Sequence, residues 1–192
     1  MDKKLFIPIL LGTMREGRES EKVAKYLYSQ LEKHSEIETQ IFDVREMKFP
    51  LNNEGQKLKE LNTDYRDAII RADGLIIVSP EYNHGYPGSL KMALDILLKE
   101  YIHKAVGICA VSIGGFGGAR MIEQLVGVVR ELGMQVTFTD LNVSRVGDMF
   151  NEDGSLKDEK FLERVDAFFE ELVWMAKTLR YGRENFSSKY HK

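Results

Sequence analysis

The residues from 79 to 85 read SPEYNHG and stand between an apolar run, GLIIV, and a segment with the pattern of an amphipathic helix. Pro80 stops the apolar run, because a proline cannot donate to a sheet ladder. The side chains of Tyr82, Asn83 and His84 then offer phenol, amide and imidazole groups together with flat apolar surface. Such a set suits a planar heteroaromatic ligand, whereas His84 taken alone is typical of an ordinary surface histidine.

A second chemical segment, GTMREGRESEKVA, occupies residues 12–24. Hydroxyl and guanidinium groups precede a helix that begins near Ser20, and free N–H groups at a helix start bind phosphate. The two glycines are spaced almost as in a nucleotide P-loop, but Arg18-Glu19 stands where Lys-Ser/Thr is required, which argues against a nucleoside triphosphate. An exposed turn with Ser20 as N-cap and solvated arginines remains an alternative for this loop alone.

The third segment, SIGGFGGAR, covers residues 112–120 and has four glycines in five positions. Glycines let a backbone approach a ligand closely and expose its N–H groups. The segment is not a dinucleotide-binding fingerprint, because Arg120 stands where a glycine is needed five positions after Gly115. The alternative is a flexible turn that only lets a helix pack closely on a sheet.

The elements that position these segments follow from the apolar patterning. Four short apolar runs, of which three are almost continuous, predict buried parallel strands at residues 5–11, 37–44, 74–79 and 105–112. A fifth strand is predicted within 135–143 and a final helix over 158–179. Between the strands lie helical stripes at Val23, Leu27 and Leu31; at Leu58, Leu61, Tyr65 and Ile69; at Leu90, Leu94 and Leu97; and at Ile122, Leu125, Val129 and Leu132. Alternation of strand and helix predicts an α/β domain with right-handed crossovers.

Pro8 lies in the middle of the first predicted strand. Since proline removes one donor from the ladder, either a bulge accommodates it or the strand pairs less completely than its length suggests.

The three chemical segments follow the first, third and fourth predicted strands, and ligands of open parallel sheets bind beyond the carboxyl ends of the strands. One sheet edge therefore brings together a phosphate site, a flat polar-aromatic wall and a glycine-rich backbone. Without a nucleoside triphosphate signature, this combination indicates a flavin mononucleotide.

The composition of the chain limits its domain number, its partners and its location. The chain has 192 residues, 43% hydrophobic and 30% charged, which suits one domain over residues 1–180 with a polar tail at 181–192. A net charge of −3 gives no reason to expect nucleic acid as a partner, and Cys109, the single cysteine, excludes an intrachain disulfide. No apolar stretch approaches the ~20 residues of a membrane span, and no signal-peptide cleavage site is evident, so we expect a cytoplasmic protein.

From about residue 5 to the helix after Gly118, the chain resembles the NADPH-dependent FMN reductase family. PEYN at 80–83 with PGSLKMALD at 87–95 is similar to the family's PEYN…PG.LKNALD, with Met92 in place of the usual Asn. The first loop looks like the family's GS.R phosphate loop, and Arg18 stands where many members have Ser. SIGGFGGAR is similar to the family's third flavin loop.

The resemblance implies a flavodoxin-like three-layer sandwich with a five-stranded parallel sheet of order 2-1-3-4-5. It implies one FMN per chain, NADPH (or NADH) as co-substrate, and a homodimer or homotetramer with sites near the subunit interface. Hydride would pass from the nicotinamide through FMN to a small acceptor: free flavin, a quinone, an azo compound or a metal oxyanion. A non-enzymatic FMN-binding electron carrier or regulator is the alternative. We assign no catalytic side chain and no metal ligand, because the flavin carries the chemistry.

The same resemblance assigns the FMN contacts. The expected phosphate ligands are Thr13, Arg15, Arg18 and Ser20. The residues expected to border the isoalloxazine, largely through main-chain groups, are Pro80, Glu81, Tyr82, Asn83 and His84. The residues expected to close the other side are Ser112, Gly114 and Gly115.

The helix after Pro87 is apolar nearly all round, with Met92 and Ile96 outside its main stripe. One sheet face covers one side of a helix, so we predict that a partner subunit covers the other, as the resemblance also implies. The alternative is that neighbouring helices of the same chain bury it.

Overall fold

The computed structural model describes residues 3–50, 55–151 and 155–191. Its strands are β1 (Leu5–Phe6), β2 (Ile9–Leu11), β3 (Ile37–Glu38), β4 (Ile41–Asp43), β5 (Gly74–Pro80), β6 (Ala105–Val111), β7 (Gln135–Val136) and β8 (Leu141–Val143). Its α-helices are α1 (Ser20–Leu31), α2 (Gly55–Leu58), α3 (Thr63–Arg71), α4 (Gly88–Asp95), α5 (Ala119–Glu131) and α6 (Lys160–Asn185). Among these helices none has both the length and the apolar character that a membrane span requires.

The strands form a parallel central sheet. The order is β4-β2-β5-β6-β7, with β8 also pairing β6 and with β1 pairing β3. When each interrupted strand is counted once, this is the predicted order 2-1-3-4-5, and the predicted α/β class is confirmed.

Pro8 interrupts the first strand without a bulge. The pairs β1 with β3 and β2 with β4 have the same register on either side of Pro8, so no extra residue is inserted. The Pro8 carbonyl still accepts a hydrogen bond from the Ile76 N–H at 2.9 Å. The strand therefore lacks the Pro8 donor and is divided into β1 and β2, which is the less complete pairing named as one possibility above.

Two hydrophobic clusters lie on opposite faces of the sheet. One contains side chains of α1 and α6, and the other contains side chains of α3, α4 and α5. Every residue of β6 is buried, and so is every residue of β5 except Pro80. Burial on both faces accounts for the continuous apolar runs of these two strands.

Two helices differ from the sequence prediction. The helix predicted from Leu58 to Ile69 is interrupted, and α3 begins only at Thr63. At the interruption the Asn62 side chain donates to the Leu58 carbonyl (2.9 Å) and exchanges hydrogen bonds with the Lys48 backbone. Leu61 is correspondingly exposed. The final helix continues six residues beyond the predicted end at 179, and its last turns carry arginines that bind Asp73 at the opposite edge of the sheet from the three chemical segments.

The helix after Pro87 is covered largely by its own chain. Leu90, Leu94, Ile96 and Leu97 are all buried in the core, while Met92 is half-buried. The expectation that Ile96 faces a partner subunit is therefore wrong, because the neighbouring helices of the same sheet face enclose it.

Candidate functional site

A pocket of about 370 Å³ lies at the carboxyl edge of the sheet. It is lined by the loops that follow β2, β5 and β6, together with Val146 after β8. Its volume is in the range of small-molecule sites. Eight of the twelve residues named from the sequence line it: Arg15, Arg18, Ser20, Pro80, Glu81, Tyr82, Ser112 and Gly114.

Thr13 does not line the pocket but joins two of its walls. Its side chain is buried, and its hydroxyl lies 2.9 Å from the Tyr82 hydroxyl. The same oxygen accepts a weak hydrogen bond from the Arg15 backbone N–H at 3.4 Å. Thr13 therefore fixes the first loop to the tyrosine of the second loop.

Asn83 and His84 also lie outside the lining, at the tip of a tight turn. Tyr82 and Gly85 exchange backbone hydrogen bonds of 2.8 and 3.0 Å across this turn. Both central residues have positive φ, 51° for Asn83 and 68° for His84, and both are exposed. Positive φ at both central positions is the backbone of a type I′ hairpin turn, in which asparagine is favoured.

Ser20 begins α1, and its hydroxyl oxygen is buried without a hydrogen-bond partner in the part of the chain that the structure describes. The sequence offered Ser20 as an N-cap, but the helix has Glu19 at that position and no side-chain cap. A buried hydroxyl without a partner costs about 1–3 kcal/mol, so its presence in a pocket calls for a ligand atom.

Arg18 is buried and bound to protein groups. Its guanidinium donates to both oxygens of Asp43, to Glu21 at 3.2 Å and to the Thr13 carbonyl. Burial lowers the pKa of Arg18, but the hydrogen bonds and charges of Asp43 and Glu21 outweigh it and leave this pKa raised. Burial raises the pKa of Asp43, yet Arg18 and the Arg45 N–H together hold it below its usual value.

Arg15 is placed differently. Its side chain is exposed, and its guanidinium carbon lies 4.1 Å from the centre of the Tyr82 ring, in a cation–π contact. Arg45 donates to the carbonyls of Met14 (3.1 Å) and Arg15 and so holds this part of the loop. The cationic head of Arg15 thus lies at the pocket with its backbone fixed.

Glu81 forms a second ion pair of the pocket, with Arg120. Its oxygen Oε1 accepts from Arg120 Nε at 2.7 Å and pairs with Arg120 Nη2 at 2.6 Å, and only 8% of the Glu81 side chain is exposed. The other oxygen, Oε2, is buried and has no partner among the described residues. This oxygen can accept a hydrogen bond from an N–H group of a ligand.

The glycine-rich loop has one half that packs closely and one half that does not. Gly117 and Gly118 have positive φ, and a Cβ on Gly118 would lie 2.7 Å from the Cβ of Ala110, so these two glycines let α5 pack on the sheet. A Cβ on Gly114 or Gly115 would meet nothing within 4 Å. This half of the loop therefore presents open backbone.

Eight lining residues were not named as site residues from the sequence: Gly17, Glu19, Val111, Ile113, Phe116, Gly118, Arg120 and Val146. Phe116 and Arg120 lie in the quoted glycine-rich segment, and so does Ile113; 81% of Ile113 and 75% of Phe116 are exposed. Apolar residues next to glycines are a sequence signal that could have found Ile113 and Phe116. Val146 had no such signal, because the fifth strand was located only within a nine-residue window.

Comparison with known proteins identifies the family. Residues 7–148 match the NADPH-dependent FMN reductase family. The chain is 31% identical over 176 residues to the FMN-dependent NADPH-azoreductase of Staphylococcus aureus (strain USA300), covering 86% of this chain and 92% of that protein. It is 32% identical over 120 residues to the NADPH azoreductase of Bacillus sp. (strain OY1-2), covering 61% of this chain and 64% of that protein, which is less than two thirds of its length.

Among solved structures, the fold matches FerB from Paracoccus denitrificans, a flavoenzyme NAD(P)H:(acceptor) oxidoreductase, with a TM-score of 0.76 and 22% identity over 89% of this chain and 98% of that one. Fold and site together define a flavodoxin-like oxidoreductase. The chain belongs to the NADPH-dependent FMN reductase family, with FMN as cofactor and NADPH as co-substrate. The sequence-based family prediction is thus confirmed, and the alternative of a non-enzymatic carrier is set aside.

The pocket fits FMN on its own chemistry. A buried hydroxyl without a partner at the start of α1 suits a phosphate oxygen, and the Arg15 guanidinium supplies positive charge beside it. The Tyr82 wall and the open backbone at Gly114 suit a planar ring.

Proposed function

We propose that this protein transfers hydride from NADPH, by way of FMN held in this pocket, to a planar aromatic acceptor such as an azo compound or a quinone. The observation that carries the proposal is one pocket that combines the unpartnered Ser20 hydroxyl with open glycine backbone and exposed apolar side chains. FMN, when bound, supplies the two-electron chemistry that no side chain of the pocket can perform.

In this proposal the first loop holds the phosphate. The Ser20 hydroxyl donates to a phosphate oxygen and so gains the partner that it lacks among the residues described by the structure. Arg15 adds a charge-assisted contact from its position over Tyr82. Arg18 positions the loop, because its donors are already engaged by Asp43, Glu21 and the Thr13 carbonyl.

The second and third loops orient the ring. Pro80 and Tyr82 form a wall, and Glu81 Oε2 accepts a hydrogen bond from a ring N–H while Arg120 holds the carboxylate in place. The exposed ring of Phe116 offers a flat surface on which the nicotinamide and an aromatic acceptor stack in turn, and Ile113 adds apolar contact beside it.

Support for an aromatic acceptor comes from these exposed apolar side chains and from the names of the two azoreductase relatives. We further propose that residues 1–180 form one FMN-binding domain, and that the protein acts in the cytoplasm as a homodimer or homotetramer.

The test begins with the visible spectrum of the protein reconstituted with FMN, followed by anaerobic stopped-flow reduction with NADPH. The reduced protein is then mixed with an azo dye, a quinone, free flavin or chromate. We expect the azo dye and the quinone to exceed chromate in kcat/KM by about tenfold or more. Equal rates for all four acceptors would contradict an aromatic preference, and lack of a bound-flavin spectrum would contradict the site.

A matched pair of variants locates the acceptor surface. Phe116→Ala removes an exposed ring from the pocket, whereas Phe138→Ala removes a ring that is 92% exposed and does not line it. We expect the KM for aromatic acceptors to rise in the first variant alone, because stacking area is lost only there.

A further inference from the structure

A second pocket, of about 320 Å³, lies between the end of β8 and the start of α6 and is strongly cationic. Its lining includes four positively charged residues: Arg145, Lys157, Lys160 and Arg164. No ion pair joins any of these four to a carboxylate within residues 3–50, 55–151 and 155–191. The lining has only two acidic residues, Asp148 and Asp158, in a chain whose net charge is −3. Unpaired cations gathered in one concavity favour an anionic ligand.

One loop separates this cationic pocket from the flavin pocket. Val146 lines the flavin pocket, and its neighbour Arg145 lines the cationic pocket. The loop is fixed to the flavin-binding segment, because the N–H groups of Arg145 and Val146 donate to the carbonyls of Gly114 and Ser112, each at 3.1 Å. A ligand that reaches past this loop occupies both pockets.

Arg164 connects the cationic pocket to the same segment from the other side. Its guanidinium donates to the Asn142 carbonyl at 2.8 Å, and the Asn142 amide donates to the Gly117 carbonyl at 3.2 Å. A cation that is held by a neutral carbonyl keeps its full charge and its other donors for a ligand.

We propose that the cationic pocket binds the 2′-phosphate of NADPH. The inference rests on the proposed function, in which the nicotinamide of NADPH lies in the flavin pocket. A phosphate monoester carries about −1.5 to −2 charges at pH 7, and arginine and lysine are its usual protein ligands. NADPH is a long molecule whose phosphate is remote from the nicotinamide, so a site in the neighbouring pocket is where that charge is needed. NADH lacks this phosphate and gains nothing from the pocket.

The test compares the two co-substrates in a charge-removing variant. Lys157→Met with Lys160→Met takes away two of the cations, and Lys33→Met with Lys177→Met, which change two lysines outside the pocket, is the control. We expect the ratio of kcat/KM for NADPH to that for NADH to fall roughly tenfold in the first double variant only. The wild-type KM for NADPH should also rise with ionic strength more steeply than the KM for NADH.

The variant is suited to the test because Lys160 stands at the first position of α6, where a cation opposes the helix dipole. Its removal should not cost stability, which thermal unfolding will check. If the double variant does not fold, Lys157→Met alone changes a residue before the helix, and we expect about a threefold fall in the same ratio.

Three outcomes would overturn the inference. The first is an unchanged ratio of kcat/KM for NADPH to kcat/KM for NADH in a folded variant. The second is equal inhibition of the wild-type protein by NADP⁺ and NAD⁺. The third is a variant in which only the KM for a sulfonated azo dye rises, which would assign the cations to acceptor binding. Failure of the proposed function looks different, because then the wild-type protein neither shows a bound-flavin spectrum nor oxidises NADH.

Discussion

At the scale of single residues, Ser20 offers the clearest separation of binding from folding. Its buried hydroxyl has no hydrogen-bond partner in the described part of the chain, so Ser20→Ala should leave the stability of the flavin-free protein unchanged or slightly raised. The same variant should weaken FMN binding about ten- to a hundredfold, since a hydrogen bond to a charged phosphate is lost. Fluorescence titration with FMN and riboflavin measures this, and riboflavin binding should not change.

The control for this variant is Ser29→Ala on the exposed side of the same helix, where the hydroxyl donates to the Tyr26 carbonyl. If Ser20→Ala weakens riboflavin binding as much as FMN binding, the phosphate is held elsewhere.

The two arginines of the first loop should respond differently to substitution. Arg15→Ala should weaken FMN binding about ten- to a hundredfold with little change in stability, because its head is exposed at the pocket. Arg71→Ala is a matched control, since Arg71 also stacks on a ring, that of Phe6, 3.6 Å from its centre and away from the pocket. Isothermal titration gives the affinities.

Arg18→Met should instead lower the free energy of unfolding by about 2 kcal/mol. It leaves Asp43 without its main partner, and the partial exposure of Asp43 keeps the loss below that of a fully buried pair. Because the pKa of Asp43 is depressed in the folded protein, its stabilising contribution is present above its unfolded value and is lost as the pH falls through the folded value. The stability of the variant, followed by urea unfolding, should therefore depend less on pH in acid. Equal acid sensitivity in both proteins would contradict this assignment.

At the scale of elements, the glycine-rich loop has one half that packs on the sheet and one half that we propose contacts FMN. Gly118→Ala should destabilise the protein by about 2 kcal/mol or more, because φ is 76° and the new Cβ would lie 2.7 Å from Ala110. Gly114→Ala should change stability by no more than about 0.5 kcal/mol, since its Cβ meets open space, but it should weaken FMN binding. Thermal unfolding and flavin titration of both variants check this division, and equal stability losses would contradict it.

The buried Lys104, at the edge of the sheet opposite the pocket, predicts a pH dependence of stability. Lys104 donates to the carbonyls of Ile70 (3.0 Å) and Ala72 (2.6 Å), and burial together with the charge of Arg183 lowers the pKa of Lys104 to about 8, partly opposed by Asp73. The unfolded chain therefore binds more protons above pH 8, and the contribution of Lys104 to stability rises with pH through this window. In the wild-type protein, Lys104 should raise the free energy of unfolding by about 1 kcal/mol between pH 8 and 9, and Lys104→Met should abolish this increase.

The measurement is urea unfolding from pH 7.5 to 9, with Lys91→Met, an exposed lysine paired with Asp95, as control. Higher pH is avoided because burial raises the pKa values of Tyr65, Tyr101 and Cys109, which lowers stability as the pH increases further. The same slope in wild type and Lys104→Met would contradict the prediction.

The sequence predicted the positions of strands and helices where hydrophobic periodicity alone determines them. It did not predict the helix ends that depend on side-chain hydrogen bonds. Near-continuous apolar runs located β5 and β6, because both faces of these strands are buried. The break before α3 depends on hydrogen bonds from Asn62 to residues that include Lys48, fourteen positions away, which no local pattern reveals. The length of α6 depends in the same way on Arg180 and Arg183 reaching Asp73.

At the scale of the whole molecule, the order of strands could be predicted because parallel crossovers allow few arrangements. The loops that meet at one edge follow from that order. The different roles of Arg15 and Arg18, and the cationic pocket, could not be predicted from the sequence. Both depend on which basic side chains the fold pairs with carboxylates. Arg18 is engaged because Asp43, at the end of β4, lies beside the first loop.

Assembly is the last property that belongs to the whole molecule. We predict a homodimer or homotetramer at micromolar concentration, measured by light scattering. Of the two residues that sequence reasoning chose for the interface, only half-buried Met92 is suited to a test, because Ile96 lies in the core and Ile96→Glu would unfold the chain. Met92→Glu should give a smaller species that binds FMN more weakly. The reason is that α4 directly follows the loop that contains Tyr82, so assembly through α4 would stiffen this loop. Leu162→Glu, at an exposed apolar residue of α6, is the control. A wild-type monomer would contradict the prediction, and an unchanged size for Met92→Glu would exclude α4 from the interface.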